Sequence, residues 1–109
     1  MAIPSPSGPR PAVVTHLTRT FAADVETLHE QCGAEADAIL RELCVGVGHL
    51  KELDAFSSLP IVPHGRYGDS FMFNFNHQFS FTFRRMTDRD EQKQPIVIHF
   101  YLKNILRRP

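Results

Sequence analysis

His99, Tyr101 and Lys103 stand two residues apart near the end of this 109-residue chain, with Phe100 and Leu102 between them. In an extended strand, residues of one parity share a face. This spacing therefore aims an imidazole, a phenol and an ammonium in one direction. Arg84 and Arg85 follow the preceding aromatic run, and His64 and Arg66 precede it. Such groups suit metal-free chemistry on an RNA phosphate: arginines hold the phosphate charge, and a histidine or tyrosine moves a proton. On this reading His99, Tyr101 and Arg84 are catalytic, and Arg66, Arg85 and Lys103 bind RNA or a partner. The plainer reading of the same face is a solvated surface or a partner contact.

Other chemistry has less local support. The chain lacks a glycine-rich dinucleotide turn, a P-loop, an HExxH helix, a CxxC pair and a nucleophile elbow. Its six histidines are scattered and form no tight ligand pair, so neither a metal nor a cofactor is expected. Cys32 and Cys44 fall on helical stripes and read as buried structural thiols in a reducing cytoplasm.

The elements that must carry these groups follow from periodicity. Residues 1–11 hold four prolines and read as an extended arm, dispensable for folding, ahead of a single domain over 12–109. Ala12–Leu17 is β-branched and short, and reads as a first edge strand. Phe21, Val25, Leu28 and Cys32 then mark one stripe of an amphipathic helix, with Thr20 as N-cap and Gly33 as stop. Ile39, Leu40, Leu43, Val47 and Leu50 mark a second helix, and the two form a hairpin. Gly46 and Gly48 within it signal either a weak spot or close packing.

From Pro60 the period becomes two. Prolines 60 and 63 and glycines 65 and 68 mark a loop. Six phenylalanines between 71 and 83 then all take odd positions, with polar residues between most of them. That alternation predicts antiparallel strands with one apolar face under the helices and one polar face in solvent. Asn76-His77-Gln78 is either a tight turn or the middle of one strand of about 14 residues; the usual strand length of about 3–10 favours the turn. Met86–Gln94 reads as a charged loop, 95–102 as a last, central strand, and 104–109 as a basic tail. The fold class is α+β in the order β-α-α-β-β-β.

Composition narrows the class further. Hydrophobic residues make up 42% and charged residues 22%, which is the composition of a globular domain. No apolar run reaches the roughly 20 residues of a membrane span, and the start does not read as a secretory signal. The expected setting is the cytoplasm, without membrane association. The net charge of zero conceals a split. Residues 21–56 carry eight acids against Arg41 and Lys51, whereas residues 57–109 carry eight bases against four acids. The positive half is the sheet half.

Asn76-His77-Gln78-Phe79-Ser80-Phe81-Thr82-Phe83 followed by Ile96-Val97-Ile98-His99-Phe100 resembles a pattern of the RelE/ParE superfamily of bacterial toxins. It is similar to the HigB type: asparagine, any residue, glutamine, aromatic, strand, charged loop, final strand. The element order over residues 12–103 is similar as well. The resemblance implies a toxin of a toxin–antitoxin system that cleaves mRNA on the ribosome without a metal, with an antitoxin as partner. Arg84 and Arg85 then match a positive position after the third strand, and His99 or Tyr101 the acid/base position. The chain departs from that pattern in its neutral charge and in lacking an arginine within Phe71–Asn74. Those departures fit a non-enzymatic alternative: an inhibitor of gyrase, or a small regulator from a phage or mobile element.

Overall fold

The computed structural model describes residues 11–51, 59–65 and 68–108. Residues 1–10 of the arm, and Arg66, lie outside the described residues. The order is β1 (Ala12–Leu17), α1 (Arg19–Cys32), a 3-10 turn (Gly33–Glu35), α2 (Ala36–Leu50), β2 (Ile61–Pro63), β3 (Ser70–Phe73), β4 (Phe79–Arg89) and β5 (Pro95–Arg107). The strands form one sheet in the order β1-β5-β4-β3-β2. The α+β architecture matches the expectation. The sheet is mixed rather than antiparallel, because β1 runs parallel to β5. β2 is an additional edge strand inside the expected loop, pairing Ile61 with Phe73 and Pro63 with Phe71. A proline is tolerated at such an edge because it removes no internal ladder bond.

The first helix starts directly off β1. Thr18, not Thr20, is its N-cap: extended backbone at Thr18 lets Oγ1 accept the Phe21 N–H at 3.2 Å. The same hydroxyl donates to the Leu102 carbonyl at 2.8 Å, which fixes the helix start against β5. Gly33 ends α1 at φ 55°, a conformation that costs a residue with a Cβ. The chain then doubles back. Asp24 on α1 meets Ile105, and Gly46 on α2 lies beside Phe81, the cross-strand partner of Ile105. Both helices therefore reach the same level of the sheet.

Gly46 shows what its residue type is for. A Cβ there would sit 3.4–3.6 Å from Phe75, Phe81 and Phe73, so α2 lies directly on the phenylalanine layer. Gly48 meets nothing within 4 Å, so only one of the two glycines marks close packing.

The odd-numbered phenylalanines form the core. Phe73, Phe81, Phe83 and Phe100 are buried with Phe21, Leu43 and Leu50. A second cluster joins Leu28, Ala36 and Ile39 to Phe79. The opposite face is less open than the alternation predicts: Ser80 and Thr82 are also buried. The Ser80 hydroxyl donates to Asn74 Oδ1 at 2.6 Å, and a polar group with a partner can leave water at modest cost.

Two strands outrun their sequence signals. β4 continues through the charged residues to Arg89, and β5 continues through the expected tail to Arg107. The two pair almost throughout, from Phe79↔Arg107 to Arg89↔Pro95. Ladder hydrogen bonds and a tight connection override the polar composition here. In that connection Asp90 Oδ1 accepts the N–H groups of Gln92 and Gln94, both at 2.9 Å. The expected turn after Phe75 is present, with Asn76 Oδ1 accepting the N–H groups of Gln78 and Phe79.

One irregularity shapes β5. Leu102 pairs with Phe83 and Asn104 with Thr82, so Lys103 is a bulge residue without a counterpart. Asp24 Oδ2 accepts the Ile105 N–H at 2.9 Å and Asn104 Nδ2 at 3.3 Å beside it. Asp24→Ala should cost about 1–3 kcal/mol, because it strands a half-buried backbone donor. Asp24→Asn, which keeps an acceptor, should recover most of that. Urea unfolding of both variants tests the pair, and equal losses would assign the effect to charge instead.

Candidate functional site

The site is built by strand pairing on the sheet face away from the helices. The parallel ladder sets His16 beside Tyr101 and Val14 beside His99. The antiparallel ladder sets Arg84 beside Tyr101 and Met86 beside His99 on the other side. Three strands thus bring His16, His99, Tyr101 and Arg84 to one face.

His99 is held at both ring nitrogens. Nε2 lies 2.9 Å from Asp88 Oδ2, and Nδ1 lies 2.8 Å from His16 Nε2. The result is a continuous chain of carboxylate, imidazole and imidazole. The His99 side chain is only 20% exposed, whereas that of Asp88 is 61% exposed, so the chain runs inward from solvent along the face. Tyr101 covers it: its ring stacks on His16 at 4.4 Å between centroids and 11° between planes. The His16 and His99 rings are 5.1 Å apart. Stacking of this kind fixes the ring planes.

Arg84 is tied down. Its Nε donates to Asp69 Oδ2 at 2.7 Å. The hydrogen bond from Arg84 is the main reason the Asp69 carboxyl lies below its ordinary value of 3.8. Asp69 accordingly stays ionised to lower pH folded than unfolded, so the pair's contribution is present above that ordinary value and lost as pH falls through the depressed one. A carbon-detected titration of Asp69 should show the low midpoint in the wild type. In Arg84→Ala the midpoint should return towards the ordinary value.

The remaining sequence candidates are dispersed. Arg85 pairs with the buried Phe100, and its guanidinium lies 5.4 Å over the Phe71 ring, on the helix-bearing face. The structure does not bring it together with His99 and Tyr101. Lys103 is exposed at the bulge, where the alternation linking it to His99 and Tyr101 breaks: Leu102 and Ile105 both pack into the core. His64 is exposed beyond the end of β2. Arg66 lies outside the described residues.

Sequence reasoning missed two members of the cluster, His16 and Asp88. His16 had the right parity, but nothing local says that the first strand pairs with the last. Asp88 was expected in a loop, and only the extension of β4 sets it near His99. Asp90, which closes the hairpin through its side chain, was the available signal. Among the described residues, no group of three or more histidine, cysteine or acidic side chains is placed to hold a metal ion. No described helix is long and apolar enough to cross a membrane.

Comparison with protein-family models, with curated proteins and with solved structures finds no match to this chain.

Proposed function

We propose that this chain is a metal-independent endoribonuclease, the toxin component of a bacterial toxin–antitoxin system acting in the cytoplasm on ribosome-bound mRNA. The observation that carries the reading is the Asp88–His99–His16 chain on an open sheet face beside Tyr101 and Arg84. RNA supplies its own nucleophile, the ribose 2′-hydroxyl. Cleavage then needs a base for that proton, a donor for the leaving 5′-oxygen and positive charge near the phosphate. The imidazole chain supplies the base, water can protonate the leaving oxygen, and Arg84 supplies the charge. Asp69 engages Arg84 Nε, and among the described residues the terminal nitrogens of the fork have no partner and can meet a phosphate.

Purified protein incubated with translating ribosomes and mRNA should cut the message in the presence of EDTA-treated buffer components, leaving 2′,3′-cyclic phosphate ends. Absence of cutting, at concentrations where a known toxin of this chemistry cuts, ends the reading.

A second reading rests on a different observation. Val14 and Met86, 38% and 40% exposed, flank His99 on neighbouring strands. Exposed apolar side chains around a polar centre suit a protein partner. On that reading the face binds an antitoxin or gyrase and cleaves nothing.

A further inference from the structure

A neutral imidazole has one donor and one acceptor nitrogen. That rule fixes the proton positions in the chain found here. An ionised Asp88 only accepts, so His99 Nε2 must carry the proton it donates across 2.9 Å. His99 Nδ1 is then a bare lone pair, and it accepts from His16 Nε2–H across 2.8 Å. The opposite polarity would aim the His99 Nε2 lone pair at a carboxylate. His16 Nδ1 is left as the open end. Among the described residues the His16 ring has no hydrogen-bond partner other than His99. Both nitrogens of His99 are occupied, so His99 cannot itself take a proton from a bound molecule without breaking a bond.

We propose that Asp88, His99 and His16 form a proton relay whose working atom is His16 Nδ1, with His99 and Asp88 as positioning residues. Its role in RNA cleavage rests on the function proposed above; the proton arrangement does not. In that reaction His16 Nδ1 takes the proton of the ribose 2′-hydroxyl. O2′ bonds to phosphorus as the bond from phosphorus to O5′ breaks; O5′ leaves with the electron pair and takes a proton from water, and the hydroxide so formed accepts the proton gained by the histidine pair. As Nδ1 gains its proton, the Nε2 proton of His16 can pass to His99 Nδ1. The positive charge then rests on His99 against the Asp88 carboxylate, and every hydrogen bond in the chain survives. A second proton would set N–H against N–H and break the hydrogen bond between the rings. The ring of Tyr101, stacked on His16, keeps the imidazole in plane throughout. On this face Arg84 of β4 is paired with Asp69, which precedes β3.

The test has a structural arm and a kinetic arm. Long-range proton–nitrogen NMR of the wild type at neutral pH should show both His99 and His16 protonated at Nε2 and bare at Nδ1. Asp88→Ala removes the carboxylate that sets the polarity, so both rings should become tautomer mixtures. Diethyl pyrocarbonate should modify His16 ahead of His99, as read by peptide mass. In RNA cleavage, His16→Phe keeps a ring against Tyr101 but removes both nitrogens, and kcat should fall about 10²–10⁴-fold. Asp88→Ala should lower kcat with little change in KM. A His16 proton on Nδ1, tautomers unmoved by Asp88→Ala, or His99 modified first would overturn the relay. So would full cleavage by a folded His16→Phe. A wild type that cuts no RNA but shows the expected tautomers and labelling removes the function and leaves the relay standing.

Discussion

Phe81→Ala should lower the stability of the domain by about 3–5 kcal/mol, the range for emptying a large aromatic site in a packed core. The ring is fully buried, stacks on Phe73 at 5.2 Å between centroids, and touches Phe75 and Phe83 on either side. Gly46 of α2 lies against it, so the cavity would open where helix and sheet meet and could not collapse without moving α2. A domain of this size holds only about 5–15 kcal/mol in reserve. The variant should therefore unfold at a much lower urea concentration, or fail to accumulate. Val14→Ala, on the exposed face, should stay within about 0.5 kcal/mol. Equal losses for the two would mean that the phenylalanine layer is not the core.

His99→Ala should slow RNA cleavage about 10²–10⁴-fold, or roughly 3–5 kcal/mol in the barrier, if the proposed activity holds. His99 is the central link, and its removal separates Asp88 from His16. Tyr101 divides its contribution between ring and hydroxyl. Tyr101→Phe preserves the stack on His16 and should keep most of any effect that comes from ring positioning. Tyr101→Leu loses the stack and should be slower. Circular dichroism of each variant checks that the sheet persists. A His99→Ala protein that folds and cuts at the wild-type rate would remove this face from the reaction.

Much of the scaffold was legible because its signals are local. Period-two phenylalanines between 71 and 83 gave the two strands, their turn and their buried face. The stripes beginning at Phe21 and Ile39 gave the helices, and Gly33 the break. The apolar character of 96–102 on both faces marked β5 as central, which the sheet order shows. What escaped was non-local. Charge made 86–94 read as a loop, yet pairing with 95–99 holds its first residues in β4. Ile61–Pro63 is too short and too proline-rich to announce a strand, and it is one only because Phe73 and Phe71 lie alongside. For the site, parity placed His99 with Tyr101 correctly. Alternation from Phe83 puts Arg85 on the helix-bearing face, a parity argument available in the sequence once the strand is known to continue. The bulge at Lys103, which no local pattern signals, ended the parity argument there.

The parallel pairing of β1 with β5 also governs when the protein can fold. The contacts from His16 to His99 and from Thr18 to Leu102 span 83 and 84 residues of chain. Closing so long a loop carries an entropic cost that local contacts do not share, and sheets dominated by such pairings form slowly. During synthesis, β1 and both helices leave the ribosome well before β5 exists. Until residues 95–107 emerge, Phe21 and Leu43 lack the Phe100 and Leu102 side of their cluster, and His16 has no imidazole to meet. The Asp88–His99–His16 chain therefore assembles only when the sheet closes. A nascent chain stalled short of β5 would carry His16 and Asp88 on separate, unjoined elements and would lack His99 and Tyr101.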